Sequence, residues 1–313
     1  VIGGTPADAS PHRPIMVAEV LAHLRPTPGE AVVDCTLGGG GHAQAILQCL
    51  QPGGRLIGLD VDPVELPATL ARLREAGFGP ETFIAQQANF RSLPAVLASH
   101  GYERVDAILV DLGVSSMQHD SPARGFSYKH PGPLDLRMDP TSGPPAWERL
   151  GTLDAAAIGA ILVDYADEPH ADLIASLLVE ALPRTTHALE RLIRAGLTAA
   201  MPALPRAEVK MSIRRTFQAL RILVNDELDA LETLLAALPS GLAPGGRVVV
   251  LTFHSGEDRR VKQAFRSGRR AGVYAEIAET VVRSAREETF ANRRAASAKL
   301  RWAVRAGGLR SGG

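Results

Sequence analysis

The sequence predicts an α/β fold: a parallel, doubly wound sheet broken by an inserted helical module. Three observations carry this. Residues 31–50 read as strand, glycine turn and helix. Ala31, Val32 and Val33 form a buried strand, Gly38 to Gly41 a turn, and Ala43, Ile46, Leu47 and Leu50 fall at i, i+3, i+4 and i+7 on one helical face. Strands and helices then alternate as far as Asp111-Leu112-Gly113, the pattern of a parallel sheet covered on both sides. Beyond that point the alternation stops, and strand signals return only at 245–253.

In chain order, 1–12 reads as a disordered lead. Residues 15–24 form a short helix with Val17, Val20, Leu21 and Leu24 on one face, ended by Pro26-Thr27-Pro28-Gly29. Gln51-Pro52-Gly53-Gly54 turns the chain into a second strand, 55–60. Pro63 and Pro67 bracket the start of the next helix, with Leu66, Leu70 and Leu73 as core candidates. A third strand over 82–85 precedes Asn89-Phe90, and Ser92 caps a helix through Leu97. Residues 105–110 form a fourth, fully buried strand. Residues 114–145, rich in Pro, Gly, Ser and charge, read as a long loop, and 147–237 as helical throughout. The fifth strand is 245–253. Segments 276–282 and 299–304 can pair as a terminal antiparallel hairpin.

Composition narrows the function classes. The 313 residues are 45% hydrophobic with a mean hydropathy of +0.02, a soluble globular balance. There is no apolar run long enough for a membrane span and no signal-peptide pattern, so a cytoplasmic protein is expected. Cys35 and Cys49 sit in core elements and read as small buried hydrophobes in a reducing compartment. The net charge is zero but uneven: residues 1–258 hold 20 Lys and Arg against 30 Asp and Glu, and residues 259–313 hold 14 against 4. A basic tail on an acidic body points to a polyanion partner.

The chemistry lies at the strand ends, since doubly wound sheets bind ligands beyond the carboxyl ends of their strands. Asp34, Asp60, Phe90 and Asp111 each sit at such an end. Glycines let a ligand approach the backbone, and a helix start offers free N–H groups. Asp60 follows the glycines at about the 20-residue spacing of a ribose-binding acid, although it also suits a helix cap. The glycines do not follow GxGxxG. Asp34 just before them would repel a pyrophosphate and accept from an ammonium, which favours S-adenosylmethionine over NAD or ATP. Phe90 is either core or a wall for an adenine ring, and His42 either caps the helix or binds a ligand. Asp111, in Asp111-Leu112-Gly113-Val114-Ser115-Ser116, is either the hydrogen-bond acceptor that holds a nucleobase amine or a cofactor contact. His254, Ser255, Glu257 and Asp258 allow a Ser-His-Asp hydrolase on paper, but no G-x-S-x-G elbow exists. The nine histidines show no metal-ligand spacing, so no metal is expected.

Seven motifs, strung in order, then resemble one family. They are Thr-Leu-Gly-Gly-Gly-Gly-His (36–42), Asp-Leu-Gly-Val-Ser-Ser-Met-Gln (111–118), Arg-Gly-Phe-Ser-Tyr (124–128), Gly-Pro-Leu-Asp-Leu-Arg-Met-Asp (132–139), Arg-Thr-Phe-Gln-Ala-Leu-Arg (215–221), Val-Asn-Asp-Glu-Leu (224–228) and Phe-His-Ser-Gly-Glu-Asp-Arg (253–259). Over His12 to Lys262 the chain resembles the ribosomal RNA small subunit methyltransferase H family. The resemblance implies a class I, Rossmann-like S-adenosylmethionine-dependent methyltransferase sheet with an inserted α-helical domain. It implies methylation of N4 of a cytidine in the decoding region of 16S rRNA, within the small ribosomal subunit or a late assembly particle, and it suggests a homodimer. It divides the chain into a methyltransferase domain, 12–116 and 215–313, and a helical substrate-recognition domain, 117–214. Cofactor contacts carry over onto Gly40, Gly41, His42, Asp60, Phe90, Asp111 and Gln118, and Asp135 and Arg137 become substrate-side candidates.

The chain departs from the family pattern in three places. Asp164 to Asp172 lacks the expected arginines and lysine, Gly256 replaces a usual leucine, and the segment after Arg266 is short. Two rival functions remain at this level. One is a methyltransferase of the same fold acting on another nucleic-acid or small-molecule acceptor, which would work without ribosomal particles. The other is a non-enzymatic RNA-binding assembly factor, which would bind cofactor without turnover.

Overall fold

The computed structural model describes residues 14–307, so the lead expected over 1–12 lies outside the described residues. A first half alternates: α1 (Val17–Leu24), β1 (Ala31–Asp34), α2 (Gly41–Leu50), β2 (Arg55–Asp60), α3 (Glu65–Glu75), β3 (Phe83–Gln87), α4 (Leu93–Ser99) and β4 (Val105–Asp111). Seven helices follow: α5 (Ser116–Asp120), α6 (Ala146–Leu150), α7 (Ala155–Ala166), α8 (Ala171–Ala181), α9 (Thr186–Ala200), α10 (Arg206–Asn225) and α11 (Glu227–Gly241). The sheet then resumes with β5 (Leu242–Thr252), α12 (Ser255–Arg270), β6 (Tyr274–Ile277), α13 (Arg286–Ala291) and β7 (Lys299–Arg305).

All seven strands share one sheet in the order β3-β2-β1-β4-β5-β7-β6. Pairing is parallel from β3 through β5, and β7 runs antiparallel to both β5 and β6. The central strands are apolar without interruption because both faces are covered. Val33, Ile57, Ile108 and Val250 face α4, α11 and α12, whereas Val32, Leu56, Leu109 and Leu251 face α1, α2 and Leu73 of α3. The predicted α2 face is fully buried at Ala43, Ile46, Leu47 and Leu50.

A third apolar cluster runs from Phe126 to Leu223 and joins α6 through α10. Helix α10 is unbroken across the 214/215 division drawn from the sequence. Its residues on both sides, Val209 and Ile213 as well as Phe217, Leu220 and Leu223, belong to this helical cluster. The chain turns back toward the sheet only at Asp226, whose left-handed backbone (φ 48°, ψ 39°) separates α10 from α11. Asp is among the few residues that take this conformation readily.

Two local expectations change. The loop expected over 114–145 contains α5, nucleated by a capping box in which Ser115 accepts from Gln118 N and the Gln118 side chain accepts from Ser115 N. The terminal pairing is antiparallel, but its first strand is β6, Tyr274–Ile277, anchored where Tyr274 meets Phe265 edge to face at 5.5 Å. Only an isolated bridge, Val282 to Leu300, extends it.

Candidate active site

A cavity of about 630 Å³ opens beyond the carboxyl ends of β1, β2 and β4. Register decides which strand-end residues reach it. Asp60 pairs with Gln87 and Asp111 with Leu251 at the rim, but Asp34 pairs with Gly58 and Leu109, two residues deeper in the sheet. Two strand residues are about 6.6 Å. Asp34 is therefore buried (1% exposed) and does not line the cavity. Its Oδ1 accepts from Thr36 N, and burial, with the charges of Asp111 and Asp60, pushes its pKa up to about 6 against the opposing pull of His42. Asp34 thus stands below the cavity wall, its buried Oδ2 without a hydrogen-bond partner among the described residues. On that turn Cys35 and Thr36 line the cavity instead, and the Thr36 hydroxyl accepts from Asp111 N at 2.6 Å, tying the ends of β1 and β4 together.

Asp60 lines the cavity and is anchored by backbone, its Oδ2 accepting from Gly38 N (2.7 Å) and its Oδ1 from Asp62 N (2.9 Å). Each oxygen keeps a second lone pair for a ligand hydroxyl. Burial raises its pKa despite those bonds. Phe90 stands half-buried on the same wall. Asp111 closes the group: its Oδ2 lies 3.5 Å from His42 Nε2, and its buried Oδ1 has no hydrogen-bond partner among the described residues. His42 is 7% exposed. Burial opposes its charge, but the Asp111 and Asp34 carboxylates outweigh that and raise its pKa.

Gly40 and Gly41 do not line the cavity, nor does His42. They are close-packing positions: a Cβ on Gly40 would meet Thr69 Cγ2 at 2.8 Å, and one on Gly41 would meet Pro14 at 2.7 Å. Gln118 does reach the wall. Its Nε2 donates to Asp62 Oδ2 (2.8 Å), a fully buried carboxylate that also accepts from Arg124 Nη1 (2.7 Å). Beside them Ser115 Oγ donates to Glu65, whose pKa is pushed up to about 7 by burial and by Asp62 and Asp60.

The opposite wall comes from the helical cluster and the loop before it. Arg137 lines the cavity and Asp135 does not. Asp135 holds Arg137 through two bonds of 2.8 Å, to Nε and Nη2, a fork that sets the guanidinium plane. Leu136 between them has φ +64°, a costly left-handed conformation for a branched residue. Arg124 Nη2 offsets this by donating to the carbonyls of Arg137 (3.0 Å) and Met138 (2.6 Å), while Asn225 accepts from Met138 N and donates to Leu136 O. Arg221 and Glu227 pair doubly at 2.7 Å next to this junction. At the end of β5, Glu257 lines the cavity and accepts from Phe253 N (2.7 Å). Burial alone would raise its pKa, but His254 and Arg221 lower it. Ser255 Oγ donates to Asp167 rather than to His254, so these neighbours form no nucleophile pair.

The family model for the MraW methylase family matches residues 9–306. The chain belongs to the MraW methylase family. Ribosomal RNA small subunit methyltransferase H 1 of Lachnoclostridium phytofermentans is 44% identical over 309 residues, 97% of this chain and 83% of that protein. Methyltransferase H 2 of Alkaliphilus metalliredigens is also 44% identical over 309 residues, covering 97% and 87%. Methyltransferase H of Myxococcus xanthus is 44% identical over 306 residues, covering 93% and 96%.

In this MraW methylase, then, the cavity joins Asp60, Phe90, Asp111, Gln118 and Arg137. The sequence places Arg124 in a motif-rich loop that covers the active site and Glu257 just past the fifth strand, but it assigns no site-building role to Asp62 or Asn225. Two local signals were available, Ser115-x-x-Gln118 and His254-x-x-Glu257, both capping boxes. For Asp62 and Asn225 no local signal exists, because their partners lie 62 and 87 residues away. Among the described residues, no helix is long and apolar enough to cross a membrane.

Proposed function

We propose that this protein transfers a methyl group from S-adenosylmethionine to N4 of a cytidine in the decoding region of 16S rRNA, within a small subunit or late assembly particle. The observation that carries the reading is Asp111, whose buried, unpartnered Oδ1 belongs to the same cavity as Asp60 and Phe90. The residues fit the cofactor. Asp60 has lone pairs for ribose hydroxyls, Phe90 offers a flat face for adenine, and about 630 Å³ is within the usual size of small-molecule sites. When bound, S-adenosylmethionine supplies an activated methyl group.

The rest falls to the chain. An exocyclic cytosine amine is a weak nucleophile because its lone pair is delocalised into the ring. Asp111 Oδ1 accepts a hydrogen bond from one of its N–H groups, orienting the nitrogen and drawing it toward pyramidal geometry, and takes up that proton once the nitrogen is methylated; positioning of this kind supplies several kcal/mol. His42, charged more readily than usual, lies 3.5 Å from Oδ2 and holds the Asp111 side chain in place for that role. Gln118 holds the cofactor wall, and Arg137, fixed by Asp135, faces the acceptor side. The target base must leave its stack, which costs a few kcal/mol and favours an exposed loop.

The test is methyl transfer from labelled S-adenosylmethionine into small subunits lacking the modification, read by nucleoside mass spectrometry. One N4-methylated cytidine is expected, and Asp111→Ala should lower the rate by about 10²-fold or more, the usual scale for a lost acid–base group. Full activity in that variant would remove Asp111 from the mechanism. Transfer to a different base would move the reading to another acceptor on the same fold.

A further inference from the structure

The basic tail is not uniform. Arg260 pairs with Glu232, Lys299 and Arg301 share Asp258, and Arg294 pairs with Asp120, so these cations are spent within the fold. Helix α12 differs. Val261 and Phe265 bury one face against the sheet core. Arg259, Lys262, Arg266, Arg269 and Arg270 recur at i, i+3, i+7, i+10 and i+11, on the opposite face. They converge, with Gln263, Ile277 of β6 and the carboxylate of Glu279, on a groove of about 460 Å³. Lys262, Arg266, Arg269 and Arg270 have no ion-pair partner among the described residues; only Arg259 does, Asp167 at 3.6 Å. Lone surface cations are ordinary, but four cations without an ion-pair partner, turned into a groove with the single carboxylate of Glu279, leave a net positive charge that a polyanion relieves.

The position of the groove matters as much as its charge. Phe253 and Glu257, at the start of α12, line the catalytic cavity, and the stripe begins two residues further on. From Arg259 to Arg270 it runs about 16 Å away from the cavity rim at 1.5 Å per residue. The inserted helices carry no net positive charge, residues 117–214 holding 10 Lys and Arg against 12 Asp and Glu, and the exposed row Arg206, Lys210 and Arg214 on α10 lines neither the cavity nor this groove. The α7–α8 junction beside the stripe carries Asp164, Asp167, Glu168 and Asp172 and no cation.

We propose that the outer face of α12 is the docking surface for the phosphate backbone of the RNA flanking the target nucleotide. Strand enters at the cavity rim and follows Arg259, Lys262 and Arg266 outward, held by charge and not by base identity. Asp167 of the α7–α8 junction pairs with Arg259 at the cavity end of the stripe and turns the backbone onto α12. The proposal rests on the rRNA reading above and adds where on this chain the substrate is gripped.

The test compares three proteins: wild type, the quadruple variant Lys262→Gln, Arg266→Gln, Arg269→Gln, Arg270→Gln, and a charge-matched control, Arg191→Gln, Arg206→Gln, Lys210→Gln, Arg214→Gln. All eight positions lie on helix surfaces away from the cavity. Binding of a naked 16S rRNA fragment and of unmodified small subunits is measured across a salt series, and methyl transfer is measured beside it. In the α12 variant the slope of log affinity against log salt should fall by about 3, since each phosphate contact contributes about 0.7–0.9. RNA affinity at low salt should fall by tenfold or more, KM should rise more than kcat falls, and cofactor affinity should hold. An unchanged salt slope, or an equal loss in the control, overturns the assignment. So does a loss on particles with none on naked RNA, which would make the groove a protein contact. The two readings separate. If methylation of the cytidine fails but the slope change appears, α12 binds RNA and the acceptor is wrong. If methylation stands and the slope is unchanged, only the docking surface is wrong.

Discussion

Asp34 and Asp111 show how far two carboxylates on neighbouring strands can diverge. Both end buried strands of the same sheet, yet two residues of register put one in the core and the other at the cavity. The buried one has a pH signature. A carboxyl that normally titrates near 3.8 and titrates near 6 when folded binds its proton more tightly in the folded state. Its ionisation therefore costs nothing at pH below about 4, costs progressively more up to about 6, and its full cost is present above that. His42, also raised, pulls in the same direction, since its charged form stabilises the fold below its ordinary pKa and that contribution is lost as pH rises through the folded one. Asp34→Asn keeps the acceptor for Thr36 N and removes the charge. It should leave stability near pH 4 unchanged and raise it at pH 7 by up to about 3 kcal/mol, from 1.36 kcal/mol per pKa unit. Urea unfolding at both pH values checks this, and a variant effect independent of pH would contradict it. Strand ends were enough to find Asp60, Phe90 and Asp111 in the sequence, because the end of a strand is a local property. The depth of Asp34 was not local.

At the scale of elements, the loop between β4 and α6 is held by charge more than by secondary structure. Arg124 is 13% exposed and spans from the buried Asp62, after β2, to two carbonyls of the strained turn that carries Arg137. Cofactor wall and acceptor wall thus share one guanidinium. Arg124→Met leaves a buried carboxylate without its cation, which should cost about 3–5 kcal/mol of stability. Arg124→Lys restores the charge but has no planar fork to reach Asp62 and both carbonyls at once. It should therefore recover most of the stability and little of the methyl-transfer rate. Equal recovery of both by lysine would show that the fork does not position the loop. The sequence marked 124–139 as motif-rich without showing why. Bonds that cross 62 residues to Asp62 and 87 to Asn225 exist only once the sheet and α10 have brought those segments together.

On the scale of the whole molecule, the chain builds two cores back to back: a sheet covered on both faces and a helical cluster closed by α10, with the cavity between them. Ile193, fully buried in α9, belongs only to the helical one. Ile193→Ala should destabilise by about 2–5 kcal/mol through the cavity it leaves. Hydrogen exchange should speed up in α7 to α10 while β1 and β4 stay protected; uniform acceleration would mean that the two cores unfold as one. The sequence alone determined the strand–helix alternation, the glycine turn, the helical insertion, the family and the basic bias of the tail, because each follows from periodicity, local motif or composition. Tertiary structure alone decided which strand-end acid faces the cavity, that Gly40 and Gly41 pack too closely on Thr69 and Pro14 for a Cβ, that α10 joins the helical cluster on both sides of residue 214, and that the unpaired cations of the tail gather on α12. Those depend on register and on partners distant in the chain, and contacts of that kind are defined only after the backbone has closed.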